Sequence, residues 1–364
     1  TLSMNFGQRP FAYTPPTGFV PLCTQNLPVP STQKSDGFFD ATTYIGTGQS
    51  GLSVMNRGQF KPDLIWIKSR TSSTDHDIFD TVRGTSLRLL VNSTAAEVLE
   101  AGFSSFNTNG FTVNGDSNMN SLGNSYVAWQ WKAGNTSVVN TDGTITSQVS
   151  ANPSAGFSVV TYTGTGSAAT VGHGLGVAPS MMIVKLRSGS GTNWAVYHTS
   201  IAATNYLALN TTDASASSVA PWNNTAPTSS VFSIGTSSWV NTSGGTLVAY
   251  CFAAIAGYSA FGSYTGNGSA DGPFVYCGFR PRYLMVKMYS GTANWIILDS
   301  SRDPYNVASN RLRPNSAEAE SAFAGDTTVD FLANGFKLRS SDAQQNYSGS
   351  TYIYAAFAEN PFAY

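Results

Sequence analysis

FKPDLIWIKSR, at residues 60–70, sets a proline ahead of a short run of apolar and β-branched residues that closes on Lys68. The pattern returns as APSMMIVKLR at 178–187 and RPRYLMVKMY at 280–289, closing on Lys185 and Lys287. The same landmarks surround each copy in the same order. A Tyr-x-Gly-x-Gly element (Tyr44, Tyr162, Tyr264) lies 24, 23 and 23 residues before the lysine. Asp80, His198 and Asp299 follow 12, 13 and 12 residues after it, and then Asn92, Asn210 and Asn315 end apolar stretches. A phenylalanine (Phe111, Phe232, Phe336) and a closing run, YVAWQW, LVAYCF or YIYAAF, complete the unit.

A period of roughly one hundred residues exceeds any solenoid repeat, so each copy reads as a small domain. Short runs rich in Val, Ile, Tyr, Trp and Phe alternate with Gly, Asn, Ser and Thr turns, the pattern of antiparallel strands in a two-sheet sandwich. The expected fold is all-β: three tandem antiparallel β-sandwich repeats of jelly-roll or concanavalin-like type. Residues 36–134, 152–257 and 258–364 are the expected units, with 135–151 a linker. FGQRPFAY (Phe6–Tyr13) echoes FAENPFAY (Phe357–Tyr364). Residues 1–35 therefore read as the closing strand of a preceding domain plus a Pro-rich connector.

Charged residues make up only 11% of the chain and aromatics 12%, a balance that excludes disorder and argues against long helices. Lys+Arg 19 against Asp+Glu 20 leaves a net charge of -1, so no footprint for nucleic acid or an anionic membrane is present. The apolar stretch at 245–264 is interrupted by Gly and Ser and reads as two strands, with no membrane insertion. No basic and apolar leader is read at Thr1. Cys23, Cys251 and Cys277 read as buried thiols, with a Cys251–Cys277 bridge as the alternative.

FGQRPFAYTPPTGFVPLCTQNLP (6–28) resembles the end of SPRY-like, concanavalin-type domains of bacteriophage structural proteins. FKPDLIWIKSR, NTDGTITSQVSANPSAGFSVVTYTGTG (140–166), GHGLGVAP (172–179) and AENPF (358–362) resemble a repeated domain of uncharacterised function. That domain stands at the C-terminal ends of phage tail and fibre proteins, notably of marine and cyanobacterial phages. The resemblance implies a virion protein of the adsorption apparatus, assembled in the host cytoplasm. It carries no catalytic residues over to this chain.

The repeated lysines and acids, Lys68 with Asp80 and Lys287 with Asp299, read as cross-strand ion pairs, with His198 at the acid's site beside Lys185. Asn92, Asn210 and Asn315 read as turn residues whose side chains bind backbone. The acidic clusters Asp75/Asp77/Asp80, Glu97/Glu100 and Glu318/Glu320 do not recur between units, so no pair of glycosidase carboxyls is read. His76, His173 and His198 are far apart, and the Asp75–Asp77 run lacks the Gly turn of a calcium loop, so no metal site or cofactor is expected. GTGQSG and GLGV read as turns, since no helix pattern follows them.

Loops that differ between copies are the places to seek specificity. They offer Trp222, Asn223, Asn224 and Trp239 in unit 2 and Tyr305 in unit 3, aromatic faces beside amides suited to sugars. The expected function is non-enzymatic: a structural and receptor-binding part of a tail fibre or tailspike that binds host surface glycan or protein. Its expected partners are other virion tail proteins and copies of itself in a homotrimer. The alternatives are a purely structural spacer, head or capsid fibre, and a polysaccharide depolymerase.

Overall fold

The computed structural model describes residues 37–189, 191–322 and 328–360, together with Pro16. The expected closing strand at Phe6–Tyr13, the Pro-rich connector with Cys23, and residues 361–364 lie outside them.

The first unit contributes β1 (Phe39–Ile45), β2 (Leu52–Met55), β3 (Leu64–Ser69), β4 (Asp77–Asp80) and β5 (Gly84–Leu90). It continues with β6 (Val98–Leu99), β7 (Phe103–Asn107), β8 (Gly110–Val113) and β9 (Ser125–Trp131). A larger sheet runs β1-β9-β3-β4-β5-β6 and a smaller one β2-β8-β7.

The second unit has β10 (Val138–Asn140), β11 (Ser147–Asn152), β12 (Phe157–Thr163), β13 (Ala169–Gly172) and β14 (Met181–Leu186). After these come β15 (Ala195–His198), β16 (Asn205–Ala208), β17 (Ala216–Ser217), β18 (Val231–Ile234) and β19 (Thr246–Phe252). The larger sheet runs β10-β11-β12-β19-β14-β15-β16-β17, and β13 pairs with β18. Two short helices, α1 (Val219–Trp222) and α2 (Ser238–Asn241), lie in its loops.

The third unit has β20 (Ser259–Thr265), β21 (Phe274–Tyr276), β22 (Pro281–Met288), β23 (Ile296–Asp299) and β24 (Asn310–Arg311). Then come β25 (Ser321–Ala322), β26 (Val329–Leu332), β27 (Gly335–Leu338), the helix α3 (Ala343–Asn346) and β28 (Thr351–Ala358). Its sheets run β20-β28-β22-β23, β24-β25 and β21-β27-β26.

The fold is therefore all-β and antiparallel. In every larger sheet the unit's closing strand sits between an early strand and the strand of the proline-led run. Register agrees as well: Lys68 lies opposite Val127, Lys185 opposite Val248 and Lys287 opposite Ile353. Residues 135–151, expected as a linker, instead form β10 and most of β11 and extend the second sheet at its edge. The alternation of SQVSAN, with Ser147 and Val149 buried and Gln148 exposed, is that of a half-buried strand.

The Tyr-x-Gly-x-Gly element owes its spelling to one buried asparagine per unit. Asn120, Asn241 and Asn346 accept the backbone N–H of Thr47, Thr165 and Asn267 at 2.7, 2.7 and 2.8 Å. The motif tyrosines donate to the carbonyls just before those asparagines, Met119, Val240 and Gln345. A Cβ on Gly46, Gly164 or Gly266 would sit 2.1, 2.3 or 2.4 Å from a backbone oxygen, so only glycine fits there.

Four apolar clusters follow. Three belong to single units and fill the space between the larger and smaller sheets, around Ile65 and Phe111, Val160 and Phe232, and Leu284 and Phe336. The fourth is shared, and joins Trp66, Trp129 and Trp131 to Ile183, Tyr250 and Phe252 and to Tyr283, Met285 and Phe357. Each larger sheet is thus covered on both faces. This explains why LIWIKS, MMIVKL and PRYLMVKM read as near-continuous apolar runs without alternation.

A shared core couples the units. The whole chain is expected to unfold in one calorimetric transition. Isolated residues 135–257, stripped of the central partners of Ile183, Tyr250 and Phe252, are expected to give no cooperative transition at all. Two or more resolved transitions in the whole chain would contradict this.

Candidate functional site

The repeated lysines are fully buried but do not meet the repeated acids. Asp80 lies opposite Leu64 and Asp299 opposite Tyr283, four residues short of Lys68 and Lys287 on the neighbouring strand. The expected Lys–Asp pairs are therefore corrected by register. Each ammonium instead donates to carbonyls: Lys68 to Ser69 and Ser72, Lys185 to Thr192 and Thr94, Lys287 to Ala293 and Thr212. Burial lowers all three from 10.5 to about 8.

The acids pair three residues on, Asp80 with Arg83 at 2.5 Å and Asp299 with Arg302 at 2.6 Å, with all four side chains excluded from water. One carboxylate oxygen of each caps its own turn through the N–H of the arginine. The other reaches across to a neighbouring unit, where the Tyr250 hydroxyl donates to Asp80 at 2.8 Å and the Trp129 indole to Asp299 at 3.0 Å. Register makes Trp129, Tyr250 and Ala355 equivalent, opposite Trp66, Ile183 and Met285.

Only the third of these lacks a donor, and the residue facing the third unit is His198. Its Nδ1 accepts the Ser200 N–H, as a carboxylate oxygen would, and its Nε2 lies 3.1 Å from the Tyr354 carbonyl. Both ring nitrogens are satisfied only in the neutral form. Burial lowers its pKa from 6.5 to about 4, with the Tyr354 carbonyl opposing. Ala355 also leaves a cavity of about 20 Å³ with apolar walls beside Tyr250, Phe261 and Met285.

The three seams close in a ring. The backbone N–H groups of Glu97, Ser215 and Glu320 donate to the carbonyls of Arg187, Tyr289 and Arg70 at 2.9, 2.9 and 2.8 Å, linking unit 1 to 2, 2 to 3 and 3 to 1. Glu97 bridges Arg83 and Arg187, and Glu320 bridges Arg302 and Arg70. Burial pushes Glu97 up, but the Arg187 and Arg83 guanidiniums outweigh it and hold the carboxyl below its ordinary value. The acidic clusters are thus spent on structure: Glu100 pairs with Arg88, Glu318 with Arg313, and Asp75 accepts from Asn92. Asn92, Asn210 and Asn315 do bind backbone, but across strands to His76, Trp194 and Trp295 and not within their own turns.

Cys251 and Cys277 are separate buried thiols in different unit cores, so the bridge is absent. Burial pushes both up to about 12. Among the described residues no group of three or more His, Cys, Asp or Glu is placed to hold a metal. No helix among them is long and apolar enough to cross a membrane.

The residues chosen for recognition separate. Trp222 is fully buried in the second unit's core, because α1 turns its ring inward against Tyr197, and it is removed from the candidate surface. Asn223 ends that helix in the left-handed conformation (φ 51) and Asn224 continues it (φ 49); both are exposed and serve the turn first. Trp239 is half-buried, edge-on to Tyr206. Of the three aromatics only Tyr305 stands out in water, 84% exposed. Phe274 and Tyr276, exposed on β21, were missed; their signal was the period-two alternation of PFVYC.

Removing the Asp299 carboxylate leaves the buried Arg302 with Glu320 as its one remaining carboxylate and strips Trp129 of its acceptor. Asp299→Ala is therefore expected to cost about 3–5 kcal/mol in urea unfolding. His198 carries a proton more readily unfolded than folded, so its contribution is present above 6.5 and is lost as pH falls toward 4. A His198→Asn variant should show a shallower fall in melting temperature between those values than the wild type; equal slopes would contradict the neutral ring.

No curated protein and no solved structure matches the chain. Residues 34–361 match a single family described as a domain of unknown function, DUF7483, and that span takes in all three units at once. The chain belongs to the DUF7483 family.

Proposed function

We propose that the chain is a structural and receptor-binding component of a bacteriophage tail fibre or tailspike, made of three β-sandwiches of jelly-roll type. It acts in the virion after assembly in the host cytoplasm, and its outer loops engage host surface glycan or protein. The observation that carries this reading is the ring of equivalent seams around one core. Such a block is stiff, much of its ionic chemistry is consumed in the seams, and its outer loops differ from unit to unit. Asn223, Asn224, Trp239 and Tyr305 remain on that periphery. The resemblance of its motifs to phage tail and fibre domains sets the context.

A homotrimer suits a fibre shaft. A chain that already closes three units about one core also suits a single cap seated on a threefold shaft, and sedimentation mass distinguishes the two. The second functional reading is a spacer, favoured by how much of the polar inventory is buried in the seams. Labelled protein is expected to coat phage-susceptible cells and to compete with virions for adsorption. Protein that binds no susceptible cell would leave the spacer. Tyr305→Ala, at a side chain that stands 84% exposed, is expected to weaken adsorption without changing the melting temperature.

A further inference from the structure

The outer face of the third unit's small sheet differs from its two counterparts. On β21 the residue Val275 points into the core, while Phe274 and Tyr276 point outward at 44% and 60% exposure. Register places two rows of side chains across this face. Phe274 lies beside Lys337, which lies beside Asp330; Tyr276 lies beside Gly335, which lies beside Leu332. A Cβ on Gly335 would meet the Val275 carbonyl at 2.1 Å and the tip of the Phe274 ring at 3.0 Å, so the Phe274 ring leans over this glycine toward Tyr276. Lys337 bonds Asp271 at 2.8 Å and Arg339 bonds Asp330 at 2.6 Å, so two cations and two anions rim the face with no net charge. Tyr305 stands on the loop whose Asn306 is hydrogen-bonded to Phe331 at the far edge of the same sheet.

Folding this sheet does not need the two rings. In the first unit the positions of Phe274 and Tyr276 hold Ser53 and Met55, and in the second Thr170 and Gly172, around the same inward Val54 and Val171. Neither ring packs on another aromatic among the described residues, and 44% of Phe274 and 60% of Tyr276 remain in water.

We propose that this face binds a neutral saccharide chain, with Phe274 and Tyr276 stacking on pyranose rings and the Lys337–Asp271–Asp330–Arg339 rim hydrogen-bonding their hydroxyls. The C–H faces of a sugar carry partial positive charge and pack on the negative face of an aromatic ring. Rings two residues apart on one strand stand about 7 Å apart, a spacing that engages successive sugars. Size decides against a protein partner: three strands of three or four residues cover about 200 Å², well short of the roughly 800 Å² each partner buries in a stable complex. The balanced rim decides against nucleic acid or another polyanion. This inference rests on the glycan branch of the receptor-binding reading and names its site.

The test is affinity electrophoresis of the whole chain in gels containing hydroxyethylcellulose, dextran, galactomannan or xylan. Wild type is expected to be retarded by at least one. The Phe274→Ala/Tyr276→Ala double variant, with an unchanged melting temperature, is expected to lose affinity on the order of tenfold or more. Met55→Ala, the counterpart of Tyr276 in the first unit, is expected to behave as wild type. Wild type unretarded in all four gels, or a double variant retarded equally, would overturn the proposal. Cell adsorption run in parallel separates it from the broader reading. Adsorption undiminished in the double variant removes this face but keeps a receptor role. Retardation lost in the variant, with no adsorption by wild type, keeps the face and removes that role.

Discussion

The inner strands of the three larger sheets are apolar on both faces, and such a sheet has no stable place in water unless something covers the second face. The smaller sheet of each unit covers one side. The other side of every larger sheet is covered by the other two, through the core that joins Trp129, Tyr250, Phe252, Tyr283 and Phe357. From this follow the ring of seams and the burial of Lys68, Lys185 and Lys287. A lysine at the end of a doubly covered strand cannot reach solvent, so it must spend its donors on carbonyls, two of which belong to the neighbouring unit.

Closing a ring of three similar units raises the question of order, because near-identical seams tolerate wrong neighbours. The cross-seam bonds are not alike. Asp80 and Asp299 accept from a ring donor, whereas His198 presents a nitrogen to a carbonyl at the seam where the third unit offers only Ala355. Setting Asp80 against Ala355 would take the Tyr250 hydrogen bond from a buried carboxylate oxygen and leave it Arg83 alone, a loss of about 1.5–3 kcal/mol for a bond to a charged group. The seams therefore discriminate by hydrogen-bond polarity more than by shape. The cavity beside Ala355 shows that shape was left incompletely filled.

Much of this was legible in the sequence. Lys68, Asp80 and Phe111 recur with near-constant spacing, and a triplicated element needs only internal comparison to be seen. The class of fold followed from run length and turn composition. What covers the second face was not legible, since Leu64 and Ile65 look the same from sequence although they enter different cores. Asn120, Asn241 and Asn346 do carry a signal, an Asn-x-x-Gly in each unit (NSLG, NTSG and NYSG), but what precedes it differs, NM, WV and QQ, and such a turn is common in a chain rich in Asn, Ser and Gly. The Lys–Asp pairing failed on register: residues twelve apart do oppose each other in these hairpins, but they are Trp66 with Ile78 and Met285 with Ile297, two positions earlier, which sets Asp80 across from Leu64 and Asp299 across from Tyr283.

The burial of Trp222 is illegible in the sequence for a related reason. A tryptophan beside two asparagines looks like a surface patch, but a four-residue helix is enough to rotate its ring into the core and leave only the asparagines outside. Composition of a loop thus says little about which of its side chains are wet. Internal symmetry says more. When the same framework is built three times, each position carries its own control, and a costly feature present in one copy alone is not explained by the framework. Buried differences such as His198 are answered by other buried differences such as Ala355. Exposed differences such as Phe274 and Tyr276 have no answering residue in the chain, so the energy that compensates them must come from outside it.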